Sequence, residues 1–279
     1  MIGPLIPLYV PGDRPDRYDK AMASQADAVI IDLEDAVSAG HKQAARTAAT
    51  EYLMRAHRKP VHVRINHPGS GWGTADLAAL TDLPGLAAIR IPKVESAAEV
   101  RAVACGVPLY CVIESALGVE AAYQIATAHP DVSGIGLGEA DLAGDLGGTG
   151  DDALLYARSR IIVAARAAAL PPPLLSVFPD LGDPDGLHAS CLRGRRLGFV
   201  GRALIHPRQA GPVLAAFAPD QTEVASAERL LAGLREAHAL DGGTLVLPDG
   251  SFADRAMAHA ARRVLAVRDA IAASAAPPG

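Results

Sequence analysis

The feature that most constrains the fold is an alternation of strand-like and helix-like segments that recurs eight times before residue 215. Apolar runs typical of buried strands occupy 5–10, 28–35, 60–66, 88–95, 109–115, 133–138, 174–178 and 199–207. Segments with apolar residues at helical spacing lie between many of them, at 41–57, 76–80, 118–128, 153–169 and 183–197. Such alternation implies parallel strands, and eight units predict an α/β fold of the closed (β/α)8 TIM-barrel type.

The pattern changes after residue 215. Helical spacing at 222–239 and 254–272 flanks a short segment, 242–252, that reads as a hairpin turning at Asp249 and Gly250. We therefore predict two parts: a TIM barrel over 1–215 and a C-terminal extension over 216–279. The extension, a helix–hairpin–helix, is more than barrel closure needs, and we expect it to act as a lid or as an oligomer arm.

Composition excludes several classes of function. The net charge is −5 and no basic stripe occurs, so we expect no nucleic-acid partner. No apolar run reaches the length of a membrane span, and the N-terminus lacks a signal-peptide pattern. Cys105, Cys111 and Cys191 have no metal-ligand spacing, which favours free thiols in a reducing compartment. We expect a cytoplasmic protein without a membrane partner.

Charged residues are concentrated where the apolar runs end. In a (β/α)8 barrel the active site lies at the carboxyl ends of the strands, so this concentration predicts a catalytic mouth. The side chains expected there are Asp13, Arg14, Asp32, Glu34, Arg64, Lys93, Glu95, Glu114, Glu139, Asp141, Asp180 and His206.

Glu114 and Asp141 end neighbouring predicted strands. Neighbouring strands lie about 4.8 Å apart, so both carboxylates can reach one ion, and oxygen ligands with several waters suit Mg²⁺. The alternative is a salt-bridged pair of acids. Arg64 can bind a substrate carboxylate in bidentate fashion, or form an ion pair with Glu34 or Glu114. Lys93 is either a Schiff-base nucleophile or, as we favour, an ammonium paired with acids such as Glu34 or Glu95.

The glycines 134, 136 and 138 fall inside a predicted strand and are followed by acids. This differs from the dinucleotide fingerprint, in which a helix N-terminus follows and cradles phosphate. We interpret the glycines as clearance for a ligand near the metal.

Seven motifs, in order along the chain, resemble the HpcH/HpaI aldolase and citrate lyase β-subunit family, including its citramalyl-CoA and malyl-CoA lyases. They are VPGDRP at 10–15, IDLEDAV at 31–37, VRIN at 63–66, IPKVES at 91–96, IESA at 113–116, GEADL at 138–142 and IHPRQ at 205–209.

The resemblance implies Mg²⁺, or Mn²⁺ in its place, at Glu114 and Asp141. It implies that Arg64 orients a 2-oxo acid and that backbone N–H groups near Ala140 and Asp141 hold a carboxylate. Asp254, at the end of the C-terminal hairpin, would reach a neighbouring subunit's site and exchange a proton with the enolate carbon. Supporting roles fall to Asp32, Glu34, Lys93 and Glu139, and Arg14 is expected to meet the phosphates of CoA.

The implied reaction is a Mg²⁺-dependent cleavage of a 3-hydroxyacyl-CoA acid, such as citramalyl-CoA, malyl-CoA or citryl-CoA, to acetyl-CoA and a 2-oxo acid. The implied assembly is a homotrimer or hexamer. Two alternatives remain open: a class II pyruvate aldolase that uses no CoA, and a carrier-dependent citrate lyase β-type subunit.

Overall fold

The computed structural model of the chain describes residues 2–148, 150–239, 245–246, 252–253 and 255–275. These residues form two compact units. One comprises Gly3–Ala216, and the other comprises the described residues from Phe217 onward together with Ile2.

The first unit is built on a six-stranded parallel sheet in which each strand pairs with the next strand in sequence. The strands are β1 (Leu8–Pro11), β2 (Val29–Asp32), β3 (Val61–Arg64), β4 (Leu86–Ile91), β5 (Leu109–Ile113) and β6 (Val132–Leu137). One row of paired residues crosses the sheet from Pro11 through Asp32, Arg64 and Arg90 to Tyr110. Side chains alternate between the two faces of a strand, so the side chains of these paired residues lie on the same face of the sheet.

Helices in the connections give the strands their apolar cover, as expected for a parallel sheet. They are α1 (Tyr18–Ala23), α2 (Lys42–Leu53), α3 (Gly71–Leu80), α4 (Ala97–Val103), α5 (Ala116–Glu120), α6 (Ala122–Ala126), α7 (Glu139–Leu146), α8 (Leu155–Ala167), α9 (Pro184–Leu197) and α10 (Ala210–Phe217). Short 3-10 turns lie at Pro15–Arg17, Ala39–His41, Asp151–Leu154 and Pro207–Gln209.

Local sequence explains where these helices begin and end. Ser96 and Glu99 form the predicted capping box at the start of α4. Asp183 caps α9 through the Gly186 amide, with Pro184 in the first turn, and α9 ends at Gly198, whose φ of 117° suits glycine.

The predicted seventh and eighth strands are not complete strands in the structure. They contribute two isolated parallel bridges, Leu175 to Arg202 and Leu204 to Leu8. Three consecutive prolines at 171–173 precede Leu175, and a proline has no N–H to donate to a ladder. The described residues therefore show a parallel sheet of six strands, one bridge from Leu204 to β1 and one bridge between Leu175 and Arg202. Closure of an eight-stranded barrel stays a prediction.

The second unit contains two long helices, α11 (Gln221–Ala239) and α12 (Arg255–Ala275). Ala227, Leu230 and Ala261 form the buried centre of their contact. Two-residue strands, β7 (Leu245–Val246) and β8 (Phe252–Ala253), pair in antiparallel fashion. The predicted turn at Asp249 and Gly250, and the predicted catalytic Asp254, lie outside the described residues.

The three cysteines are free thiols, as their spacing predicts. Within the described part of the chain, no helix is both long enough and apolar enough to cross a membrane.

Candidate active site

The first unit contains a cavity of about 540 Å³ whose wall includes residues from all six strands of the sheet. Segment 171–177 completes part of the wall. Five of the side chains predicted at the mouth line it, together with Ala140, whose amide the resemblance implicates: Asp32, Arg64, Glu114, Glu139 and Asp141. The rule that parallel strands bring their carboxyl ends together thus correctly predicted where this cluster forms.

Glu114 and Asp141 both line this cavity and act on each other electrostatically. Glu114 directly follows β5 and is 5% exposed, whereas the side chain of Asp141, in the first turn of α7, is 53% exposed. Burial and the nearby carboxyl group of Asp141 raise the pKa of Glu114 to about 8. The neighbouring Glu114 lowers the pKa of Asp141. The two acids therefore influence each other's ionisation, with the buried Glu114 as the weaker acid.

This pair fits a magnesium ion by the chemistry of its donors. Two neighbouring carboxylates can bind one divalent cation, and carboxylate oxygens are the ligands that Mg²⁺ prefers. In the described part of the chain no third His, Cys, Asp or Glu completes a metal cluster. An ion held by Glu114 and Asp141 would take its other ligands from water and substrate, as Mg²⁺ commonly does.

Gly138 provides the space that Glu114 occupies. A Cβ atom added at Gly138 would lie 2.7 Å from Cδ of Glu114, which is too close for carbon atoms. Gly136, two residues earlier on β6, has no atom within 4 Å of such a Cβ. Both residues line the cavity. The two glycines therefore leave space in different ways. Gly138 makes room for the carboxyl group of Glu114, and Gly136 faces open space in the cavity.

Arg64 is held at the mouth by Asp32, which is almost fully buried. Nε of Arg64 donates to Oδ1 of Asp32 at 2.8 Å, and Nη2 donates to Oδ2 at 2.6 Å. Nη1 lies 2.9 Å from Oε2 of Glu34, an ion pair that is not a hydrogen bond, so Oε2 keeps unused acceptor capacity. The ion-pair alternative for Arg64 is thus realised with Asp32 and Glu34, which fixes the direction of the guanidinium.

Lys93 has a backbone φ of 53°, an uncommon conformation for a residue with a side chain. Its Nζ donates to Oε1 of Glu34 and lies 3.7 Å from Oδ2 of Asp141. Burial alone would lower the pKa of Lys93, but the bond to Glu34 and the nearby carboxylates outweigh burial and raise it. A charged ammonium is a poor nucleophile, so the geometry favours the paired lysine. Glu95, the other predicted partner, accepts instead from Ser115 Oγ at 2.6 Å.

Glu139 and Asp141, two residues apart, have different environments. Arg158 on α8 binds Glu139 through two hydrogen bonds, Nε to Oε1 at 2.8 Å and Nη2 to Oε2 at 2.7 Å. This pairing leaves Asp141 as the acid available to a metal. Sequence reasoning missed Arg158. The pattern that could have identified it is its place next to Ala157 and three residues before Ile161, both on the buried face of α8, where a charged residue needs a partner.

The start of α7 was also missed. We expected no helix directly after 133–138, but Gly138 is the N-cap of a helix whose first turn contains Glu139, Ala140 and Asp141. The first amides of a helix have no intrahelical partner and attract anions. Ala140 and Asp141 line the cavity, so the amides that the resemblance assigns to carboxylate binding lie at a helix N-terminus.

Among the described residues predicted at the mouth, Asp13, Arg14, Asp180 and His206 do not line this cavity. Arg14 is exposed, forms a bidentate pair with Asp16 and does not line the cavity, whereas Arg17 does. Asp254 lies outside the described residues.

Residues 5–207 match the sequence model of the family described as HpcH/HpaI aldolase/citrate lyase. A (3S)-malyl-CoA thioesterase of Cereibacter sphaeroides is 38% identical over 275 residues, which cover 95% of each chain. The citrate lyase subunit beta of Leuconostoc mesenteroides subsp. cremoris is 33% identical over 94% of this chain and 92% of its own. Among solved structures, CitE of Mycobacterium tuberculosis in complex with magnesium, acetoacetate and coenzyme A is 33% identical. It matches with a TM-score of 0.79 over 96% of this chain and 98% of that one.

Proposed function

The chain belongs to the HpcH/HpaI aldolase/citrate lyase family, and from this membership we propose that it is a Mg²⁺-dependent carbon–carbon lyase. Its substrate is a 3-hydroxyacyl-CoA acid of the malyl-CoA, citramalyl-CoA or citryl-CoA kind, and its products are acetyl-CoA and a 2-oxo acid. The observation that carries the proposal is that Glu114 and Asp141 line one cavity together with Arg64 and the N-terminus of α7 and influence each other's ionisation.

Glu114 and Asp141 hold the ion, which is Mg²⁺ or, in its place, Mn²⁺. When bound, the ion supplies Lewis-acid stabilisation of the oxygen that becomes the ketone. Magnesium in the complexes of the similar CitE structures supports this assignment.

Arg64 and the first amides of α7 position the oxo-acid half of the substrate. The guanidinium is held rigidly by Asp32, so it binds a substrate carboxylate with little loss of side-chain freedom. The amides of Ala140 and Asp141 offer a second anchor for negative charge. These contacts orient the carbon–carbon bond for cleavage.

Cleavage begins when the substrate hydroxyl loses its proton to a base. The bond between the hydroxyl-bearing carbon and the α-carbon of the thioester then breaks, the carbonyl of the oxo acid forms, and the electron pair becomes the enolate of acetyl-CoA. Asp254 returns a proton to the enolate carbon, or removes it in the condensation direction.

The proposal also includes features of the whole molecule. The parallel sheet closes into an eight-stranded barrel over 1–215, and the extension over 216–279 serves as a lid that brings Asp254 to a neighbouring subunit of a trimer or hexamer. Arg14 contacts CoA phosphates, and the protein acts in the cytoplasm.

A second candidate is hydrolysis of the thioester, favoured by the 38% identity to a (3S)-malyl-CoA thioesterase. In that reaction water attacks the thioester carbonyl, and malyl-CoA yields malate and free CoA without breaking a carbon–carbon bond.

One product assay separates the candidates. Malyl-CoA, citramalyl-CoA and citryl-CoA are incubated with the protein, with Mg²⁺ or with EDTA. We expect acetyl-CoA and an oxo acid in equal amounts, only with Mg²⁺. Free CoA released together with the intact hydroxy acid, and no acetyl-CoA, would assign the protein as a thioesterase.

The same assay tests the remaining alternatives. Turnover of free hydroxy acids without CoA would identify a class II pyruvate aldolase, and turnover only of carrier-linked thioesters would identify a citrate lyase β-type subunit. Loss of activity with EDTA, without a borohydride-trapped adduct, excludes a Schiff base at Lys93.

A further inference from the structure

Four arginines of the described chain are buried, and one of them differs from the others. Arg46 is paired with Asp76, and Arg158 with Glu139. Arg202 has no acid partner, but its three guanidinium nitrogens reach Cys191 Sγ, the Ser176 carbonyl and Ser190 Oγ. Arg90 is 8% exposed, and within the described residues its guanidinium makes neither an ion pair nor a hydrogen bond. A buried charge without a partner costs several kcal/mol, so something outside the chain must compensate it.

Arg90 lies inside the cavity and faces two other polar residues. Its guanidinium carbon is 5.0 Å from the centre of the Tyr110 ring, and both residues line the wall. The ring of His62 is 5.1 Å from that of Tyr110. Nδ1 of His62, like Nε of Arg90, is buried and has no partner. Adjacent strands thus bring two unpartnered nitrogens to one polar interior.

Arg90 pairs in register with Arg64, and the interior extends from Arg90 past Tyr110 to a level deeper than the mouth. Tyr110 precedes Glu114 by four residues on β5, which is about 13 Å along a strand. A Cβ atom at Gly3 would lie 3.2 Å from the Tyr110 hydroxyl, so that ring reaches the N-terminal segment of the first unit. The cavity wall runs from Gly3 and Pro4 to Asp141, so the mouth and the Arg90 layer share one space.

We infer that this inner part of the cavity is an anion subsite, in which Arg90 binds a carboxylate while Tyr110 supports the guanidinium from its other side. A planar carboxylate matches the two-pronged donor geometry of a guanidinium. No acid of the described chain competes for this arginine, in contrast to Arg64 at the mouth.

The carboxylate has two conceivable sources. It is either a small free anion, or the far carboxylate of a dicarboxylic oxo acid whose near end is held at the mouth. Only the second source rests on the proposed function.

The first arm of the test uses the full-length, EDTA-treated protein and acetate as the probe. Melting temperature is followed as acetate increases, with a bulky sulfonate salt keeping the ionic strength constant. The melting temperature of the wild type should rise. The rise should disappear in Arg90→Met and persist in Arg101→Met, which changes an exposed arginine of α4.

The second arm uses Mg²⁺-loaded protein and calorimetric titration with oxaloacetate and pyruvate. If the far carboxylate reaches Arg90, Arg90→Met should lower the preference for oxaloacetate over pyruvate about tenfold or more, the effect of one charge-assisted hydrogen bond. Both arms measure binding, so their results stand whether or not the protein cleaves a thioester.

An effect of Arg90→Met in either arm supports the subsite and identifies its source. Equal behaviour of wild type and Arg90→Met in both arms overturns it and leaves water as the partner of Arg90. If Arg90→Met fails to fold, Arg90→Gln is tested in its place. If neither folds, a wild-type crystal soaked in bromide decides: an anomalous peak beside Arg90 supports the subsite, and its absence refutes it.

Discussion

At the scale of single residues, the site depends on acids whose neighbours give them different roles. Glu139 is bound by Arg158, Asp32 is bound by Arg64, and Glu34 lies between Arg64 and Lys93. Glu114 and Asp141 influence each other's ionisation, Nζ of Lys93 lies 3.7 Å from Oδ2 of Asp141, and both acids line the cavity. This distribution of partners is the basis for proposing Glu114 and Asp141 as the acids that hold a cation.

Replacing either acid of that pair should abolish metal-dependent turnover. We expect Glu114→Gln and Asp141→Asn each to lower turnover and Mg²⁺ affinity by about 100-fold or more, because each removes a charged ligand. Titration calorimetry with Mg²⁺ and the product assay measure the two effects. Glu51→Gln, on the exposed side of α2, is the matched control. Wild-type activity in either site variant would disprove the metal assignment.

His62 should make stability depend on pH. Burial and the neighbouring Arg90 lower its pKa to about 3, against about 6.5 in the unfolded chain. Between these values the unfolded state binds a proton that the native state does not. The free energy of unfolding therefore falls as the pH drops below about 6.5, by up to about 1.4 kcal/mol per pH unit.

Urea unfolding of wild type and His62→Phe at several pH values, in acetate-free buffer, measures this contribution. Arg90 on β4 and Tyr110 on β5 face His62 and are unchanged in the variant. We expect the variant to gain stability relative to wild type as the pH falls. Parallel pH profiles for the two proteins would show that His62 does not titrate as described.

Sequence patterns identified most mouth residues but not their partners. Each of Glu114, Arg64 and Lys93 ends an apolar run, so its place follows from strand topology alone. The pairing of Arg158 with Glu139, and the isolation of Arg90, depend on contacts between elements distant in sequence, which no local pattern encodes. Arg14 forms an exposed pair with its near neighbour Asp16, and its predicted contact with CoA phosphates stays a prediction.

At the scale of elements, the turn from β6 into α7 connects backbone geometry to the proposed metal ligands. Gly138 ends the glycine-rich strand, caps α7 and makes room for Glu114. Only glycine meets these requirements, because any side chain at position 138 would occupy the space of the Glu114 carboxyl group.

Gly138→Ala should therefore displace the Glu114 carboxyl group. We expect about a tenfold loss of Mg²⁺ affinity, the lower end of effects seen when ligand orientation is disturbed. Gly136→Ala is the control, because its new Cβ meets no atom and should leave Mg²⁺ affinity unchanged. Calorimetry with Mg²⁺ compares the two, and equal affinities would refute the packing argument.

The helices and strands that sequence predicted well are those with long, regular patterns, such as α2, α8 and α9. Helix α7 was missed because its acids were read only as the end of a strand. The seventh strand was overestimated because the three prolines before Leu175 have no N–H to donate to a ladder. The eighth forms only single bridges, at Arg202 and Leu204.

At the scale of the whole molecule, the proposed lid makes a prediction about subunits. If Asp254 serves a neighbouring site, Glu114→Gln and Asp254→Asn proteins are each inactive alone, but mixing and reassembling them should restore part of the activity. About a quarter of wild-type turnover is expected for random mixing across shared sites.

Light scattering of the same samples gives the assembly size, expected to be a trimer or hexamer. Asp254→Asn should leave Mg²⁺ affinity near that of wild type. No recovery on mixing, or full turnover by Asp254→Asn alone, would contradict a shared site.

The order of pairing in the sheet also has a consequence during synthesis. From β1 to β6, each strand finds its partner in the strand made just before it, so this part can assemble as the chain leaves the ribosome. The free side of β1 must wait until Leu204 emerges to bond with it. Until then β1 offers an unpaired edge to other nascent chains. The nascent protein is therefore most exposed to misassembly while about two hundred residues are being translated, and chaperone demand should fall once Leu204 has left the exit tunnel.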